Sequence, residues 1–235
     1  MTLVISTHYD DAVLSCGHWL HMNPGATVAT VCSGFPGPGV GAAPWDSRSG
    51  FATADQAMAA RQAEDLAALS MLKAHQYPPL GFLDNEYQYA ARTLAGLGAV
   101  IGALLDDLKP DRCLIPLGVA HPDHVATGQA CRRALATRNG KGIEVIVYGD
   151  LPYRVHPDTA QSYNDALDHA LTQQVPAEGF PMRADVEWAT PSTDQPKRDA
   201  TTRNHSQLLQ LDEQAVEESM QLDAEMFWHL RTADK

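Results

Sequence analysis

The chain lacks any apolar run approaching the roughly 18 residues that span a bilayer, so no membrane-spanning helix is expected. It also lacks a basic segment and a small-residue cleavage site near its start, where Met1 to Ser6 lead straight into apolar residues, and a cytoplasmic location is expected. Positive charge is scarce. Against 29 Asp and Glu stand 17 Lys and Arg, giving a formal net charge of −12. A field of that sign repels a phosphate backbone, so nucleic acid is not an expected partner. Cysteine is sparse as well: Cys16, Cys32, Cys113 and Cys131 lie far apart with no C-x-x-C pair, and they read as reduced core thiols. Neither an internal repeat nor a linker divides the chain. Its 235 residues, 44% hydrophobic and 20% charged, suit one soluble globular domain over 1–235.

Leu3 to Ser6 reads as a buried strand, Ala12 to Met22 as a helix and Thr27 to Cys32 as a second strand. Residues 33–50 are rich in Gly and Pro and read as a long surface loop, a kind of segment that often carries function. Thr53 with Gln56 forms a capping-box pattern ahead of an Ala-rich helix that runs through Met71. A strand is expected near Gly81 to Leu83, a helix over about Leu94 to Leu108, and a strand over Cys113 to Pro116. Another helix is expected from near Asp123 to just before Asn139, and a strand over Ile143 to Tyr148. This alternation predicts an α/β fold, a Rossmann-like and mostly parallel sheet with helices on both faces, over residues 1–150. Residues 151–235 read as an irregular C-terminal part of the same domain. They hold a helix around Asn164 to Gln174, a strand around Ala184 to Ala189 and two helical stretches after Gln195.

Open α/β sheets bind ligands beyond the carboxyl ends of their strands. Two polar groups fall there: His8, Tyr9, Asp10 and Asp11 after the first strand, and His121, Pro122, Asp123 and His124 after the Cys113 to Pro116 strand. A catalytic zinc takes three protein ligands and keeps one position open, so two His and one Asp from these segments suffice. A carboxylate is left over as a base and an imidazole as a stabiliser of developing charge. The plainer reading makes each group a helix cap. Two adjacent aspartates matched by a second His-rich turn exceed what capping requires.

At these residues the sequence resembles the LmbE-like family, which includes the N-acetylglucosaminylphosphatidylinositol de-N-acetylases and the mycothiol-pathway deacetylase and amidase. The likeness extends to Arg61 with Glu64, Phe82 to Asp84, Tyr148 to Tyr153, and His205 to Gln207. It implies zinc, with Fe2+ or Co2+ as substitutes, held by His8, Asp11 and His124. It further implies Asp10 as general base, a protonated His121 facing the oxyanion, Asp123 behind a ligand imidazole, and Arg61 and Asp84 reaching sugar hydroxyls. The activity so implied is hydrolysis of the acetamide of an N-acetylglucosamine-type conjugate. A metal-dependent amidase acting on a non-sugar or thiol-conjugate amide, or a noncatalytic sugar-binding protein, is the alternative. Tyr9 stands where the family has Pro, Ala12 where it often has Glu, His18 where many members have Gly, and Val119 where the mycothiol deacetylase has Tyr.

His18 is a candidate for lining the pocket, although with His21 it also reads as part of a partly exposed helix face. Trp45 is a candidate lid over a sugar face or a core anchor. His156, Pro157 and Asp158 repeat part of the motif without a second acid and read as a loop. His205 either approaches the site or braces its helix. The expected partner is a small N-acetylated sugar conjugate, and the sequence is compatible with a homo-oligomer.

Overall fold

The computed structural model describes residues 1–87, 96–138, 142–151, 153, 182–188, 193–211, 213–220 and 225–230. Strand β1 (Thr2–Ser6) lies at the centre of the sheet, and its alternation divides the core in two. Leu3 and Ile5 enter one buried hydrophobic cluster and Val4 enters the other. A strand buried on both faces reads as a continuous apolar run, as this one does. β2 (Thr27–Thr30) and β4 (Arg112–Pro116) flank it in parallel, with Val4 opposite both Val28 and Leu114. β3 (His75–Gln76) adds to β2, and β5 (Glu144–Tyr148) adds to β4, again in parallel. β7 (Met226–Leu230) then pairs antiparallel with β5, and β6 (Met182–Trp188) antiparallel with β7, so the sheet order is β3-β2-β1-β4-β5-β7-β6.

Helices α1 (Asp11–Met22), α3 (Ala54–Met71) and α6 (Gln195–Thr201) supply Val13, Leu20, Leu69 and Ala200 to the cluster that contains Val4. Helices α4 (Leu97–Leu108) and α5 (Pro122–Ala136) cover the opposite face through Ile101, Leu105, Cys131 and Leu135. The capping pattern before α3 is realised: Thr53 Oγ1 accepts the Gln56 N–H at 3.3 Å, while Gln56 Oε1 accepts the Ala52 N–H at 3.3 Å. Three shorter helices follow the loops: α2 (Pro44–Arg48), α7 (His205–Leu208) and α8 (Glu213–Ser219). No helix among the described residues is long and apolar enough to cross a membrane.

The mostly parallel sheet with helices on both faces agrees with the sequence reading, and three local expectations are corrected. The strand next to β2 is His75–Gln76, not Gly81 to Leu83. Gly81 turns the chain at φ +82°, and the segment beyond it runs past Gly34, where a Cβ would sit 2.5 Å from the Gly81 carbonyl oxygen. The Gly/Pro-rich stretch is not structureless, because Pro44 starts α2 within it. β2 stops at Thr30, two residues short of Cys32. The helix expected at Asn164 to Gln174 and the His156 to Asp158 turn lie outside the described residues.

Candidate active site

The sheet order reverses between β1 and β4, the place where open α/β sheets leave a crevice. Both polar motifs open into it. After β1 the chain turns sharply: Ser6 Oγ donates to the His8 carbonyl at 2.7 Å and accepts the Ala12 N–H at 3.1 Å. Asp10, just ahead of α1, takes φ 107° and ψ −35°, a conformation that non-glycine residues rarely adopt. Its side chain makes no capping bond to α1. The plain capping reading therefore does not account for Asp10, whose carboxyl faces the cavity instead. After β4, His121 is the N-cap of α5, with its Nδ1 accepting the Asp123 N–H at 3.3 Å. That bond leaves the proton of the neutral ring on Nε2.

Three donor atoms converge where the motifs meet. Asp11 Oδ2 lies 3.3 Å from His8 Nδ1 and 3.1 Å from His124 Nε2, and the two nitrogens are 3.3 Å apart. Zinc–nitrogen bonds of about 2.0–2.1 Å in a tetrahedron give ligand edges of about 3.3 Å, so the triangle has the size of one metal coordination face. Each imidazole is backed by a carboxylate on its other nitrogen: His8 Nε2 lies 3.1 Å from Asp123 Oδ2, and His124 Nδ1 lies 2.8 Å from Asp150 Oδ1. Such backing fixes the tautomer that turns a lone pair inward and raises ligand basicity. The donor set, its spacing and its supports all fit a divalent ion.

Electrostatics agree. Burial opposes charge on His8 and His124, yet the surrounding groups outweigh it: Cys32, Asp11 and Asp123 raise His8 well above the ordinary value, and Asp11 with Asp150 raise His124 to about 9. Burial likewise opposes charge on Asp11, but His124 and His8 hold its carboxyl far below the usual range. A buried surplus of carboxylate thus attracts positive charge to the centre of the triangle. For Asp10, burial and then the Asp11 carboxylate push the carboxyl well above the usual range, which makes it a stronger base. His121 moves the other way, lowered first by burial and then by the neighbouring His8 and His124. This direction disfavours the protonated His121 expected from the sequence and, with Nδ1 accepting the Asp123 N–H, suits a ring that donates from Nε2.

A cavity of about 360 Å³ opens from the triangle, bordered by Asp10 and His121 at its base and by Trp45, Arg61, Asp84, Tyr153 and Gln207 along its walls. Arg61 forms a buried ion pair with Asp46 of α2, whose other oxygen accepts the Tyr87 hydroxyl, and a longer one with Asp84 at 3.8 Å. Trp45 Nε1 donates to Gln207 Oε1 at 3.0 Å, so the Gly/Pro-rich loop and α7 meet across the cavity.

Of the sequence candidates, the structure brings together His8, Asp10, Asp11, His121, Asp123 and His124, and it places Arg61, Asp84 and Trp45 on the walls. His18 is the exception. It shares a helical face with Asp11 but lies two turns along α1, about 10 Å down the axis. There it is buried, and its backbone N–H donates to Glu225 at 2.7 Å. His205 is exposed, and its neighbour Gln207 faces the cavity instead. Sequence reasoning placed Asp150 and Tyr153 in a stretch that carries the family likeness but gave neither of them a role. Tyr153 stacks near His121 and meets the edge of His124 at 4.9 Å between centroids. Their signal was position, just beyond the carboxyl end of β5, a third strand feeding the same crevice.

The fold and site define a class: an α/β protein with a His/His/Asp metal-type centre at the switch point of a mostly parallel sheet. Within that class the family is shown, for the PIG-L model, GlcNAc-PI de-N-acetylase, matches residues 3–135, and the chain belongs to that family. A search of curated proteins gives no match. Among solved structures, a deacetylase–teicoplanin complex from teicoplanin biosynthesis is 26% identical over 99% of this chain and 98% of that one, with a TM-score of 0.73. A zinc-inhibited form of the teicoplanin deacetylase Orf2 is 24% identical over 100% of this chain and 99% of that one, with a TM-score of 0.77. N,N'-diacetylchitobiose deacetylase from Pyrococcus horikoshii shares the fold at 16% identity and a TM-score of 0.57, covering 98% of this chain and 83% of that one.

Proposed function

We propose that the chain is a metal-dependent hydrolase that removes the acetyl group from the nitrogen of an amino-sugar conjugate. The observation that carries this reading is the triangle of His8 Nδ1, Asp11 Oδ2 and His124 Nε2 with Asp10 beside it. Membership of a de-N-acetylase family supports it, as do structural neighbours that deacetylate teicoplanin and diacetylchitobiose.

Zinc is the proposed ion, on the donor set of two imidazoles and a carboxylate, which Fe2+ and Co2+ also suit. When bound, such an ion polarises the amide carbonyl and acidifies water. Asp10 takes the proton of the attacking water, its raised basicity suiting it to that step. His121 donates a hydrogen bond from Nε2 toward the oxygen that becomes negative, and the proton taken up by Asp10 passes to the leaving amine. Asp123 and Asp150 hold the two ligand rings in the productive tautomer. Arg61 and Asp84 offer a donor and an acceptor to sugar hydroxyls, and Trp45 offers a ring face. The single sheet that takes in β6 and β7 supports reading the chain as one domain.

The test is acetate release from a panel of N-acetylated sugars and conjugates, before chelation, after chelation, and after return of zinc, iron or cobalt. Chelator-sensitive acetate release is the expected result. Bound metal with no turnover on any N-acetyl sugar would favour a binding protein, and turnover confined to other amides would favour an amidase.

A further inference from the structure

Helix α3 grips the site at three points in little more than one turn. Arg61 holds Asp46 of α2; Glu64 accepts from the Ser206 N–H at 3.1 Å and from the Ser206 hydroxyl at 2.7 Å; Asp65 Oδ1 accepts the Asp10 N–H at 3.4 Å. Positions 61, 64 and 65 lie on one helical face, so a single rigid element addresses three separate pieces of chain. Two of the three grips have no role in the chemistry described so far.

Asp65 is buried, and its other oxygen accepts Gln76 Nε2 at 2.7 Å, a nitrogen that also donates to the Gln62 carbonyl at 3.2 Å. The carboxyl is therefore fixed in orientation as well as position. Its partner is the peptide of Asp10, where φ is 107°. A backbone in that region persists only when its surroundings hold it there, and the Asp10 side chain makes no local bond to do so. Glu64, one residue earlier, reaches a different piece of chain at Ser206. Ser206 precedes Gln207, whose Oε1 takes the Trp45 Nε1–H, and both of those residues border the cavity.

We infer that Asp65 and Glu64 are positioning residues with separate duties: Asp65 fixes the backbone that aims Asp10, and Glu64 fixes the cavity wall made by Gln207 and Trp45. The inference rests on the reading of Asp10 as the base. If the two carboxyls were general braces of the fold, their loss would disturb both regions alike. Separate duties instead require that each variant leave its own signature.

The experiment compares metal-loaded wild type with Asp65→Ala, Asp65→Asn and Glu64→Gln, using acetate release from N,N'-diacetylchitobiose and residue-resolved amide hydrogen exchange. Asp65→Ala should lower kcat about tenfold or more, with KM held within about twofold, because aim and not binding is lost. Asp65→Asn should recover most of that loss, since its amide oxygen still accepts the Asp10 N–H. Glu64→Gln should raise KM several-fold, with a smaller change in kcat. Exchange at the Asp10 amide should quicken about tenfold in Asp65→Ala and not in Glu64→Gln, with the reverse at Ser206. Both amides quickening in either variant, or kcat and KM moving together in both, would overturn the inference. The exchange pattern decides the backbone question even in a protein that releases no acetate. A wild type inactive on N-acetyl sugars, or an Asp10→Asn variant with full turnover, would instead overturn the deacetylase reading.

Discussion

Asp150 holds His124 from behind: its Oδ1 lies 2.8 Å from His124 Nδ1, while its Oδ2 accepts the Gly118 N–H at 2.8 Å and the Val119 N–H at 3.3 Å. One carboxylate thus ties the His124 ring to the turn that leaves β4. Replacing Asp150 by Ala should weaken metal binding about 10- to 100-fold, the usual cost of losing a partner behind a ligand. Competition against a graded chelator measures this. Unchanged affinity would mean that the ring needs no support.

The ligands and the base should separate cleanly. His8→Ala and His124→Ala should deplete bound metal, whereas Asp10→Asn should keep metal content near normal and lower turnover by about 10²- to 10⁴-fold. Metal analysis beside acetate release reads both. Loss of metal in Asp10→Asn would move Asp10 into the ligand set, and full occupancy without His8 would remove it.

These two expectations differ in how early the sequence supports them. His8, Asp10, Asp11, His121 and His124 were legible because each follows a strand whose apolar run is unmistakable, and the carboxyl ends of such strands are where a crevice forms. Asp150 lay in the Tyr148 to Tyr153 stretch that the resemblance covers, but nothing in the sequence assigned it a role. Its role depends on β5 lying beside β4 in register, a relationship between segments 26 residues apart at the His124 contact. His18, a candidate because it stands where many members have Gly, is buried two turns along α1 from Asp11, and a motif position carries no information about distance along the axis. The edge strand β3 was missed because two residues are too few to show alternation.

Lys197 tests a longer reach. Its ammonium lies 2.9 Å from Glu225 with both side chains fully buried, and the Glu225 carboxylate also accepts the His18 and Trp19 N–H groups of α1 at 2.7 and 3.0 Å. Gly17 makes room, for a Cβ there would meet Lys197 Cγ at 2.7 Å. Lys197→Met should cost about 3–5 kcal/mol of stability, because it strands a buried carboxylate. Urea unfolding measures it. A loss below about 1 kcal/mol would show that the pair is solvated.

Asp65 gives a pH signature. Burial, opposed by the Gln76 bond and aided by Asp11, pushes its carboxyl up from 3.8 to about 7. The folded state then holds a proton that the unfolded state has released, so this group's contribution to stability falls as pH rises from about 4 to about 7 and is level beyond. Asp65→Asn carries no such proton. Its unfolding free energy relative to wild type should therefore climb across that window and then plateau. A flat difference would mean that the folded carboxyl is already ionised.

The left-handed turn at Asp10 sets two selection pressures against each other. Glycine would adopt φ 107° without strain, and in doing so would remove the Asp10 carboxyl from the cavity. A search for hardier variants of this protein would tend to rediscover glycine at position 10, and each such variant would lack the carboxyl proposed as the base. Durability and turnover diverge at a single residue, so a collection ranked by melting temperature alone would be ranked, at this position, against activity.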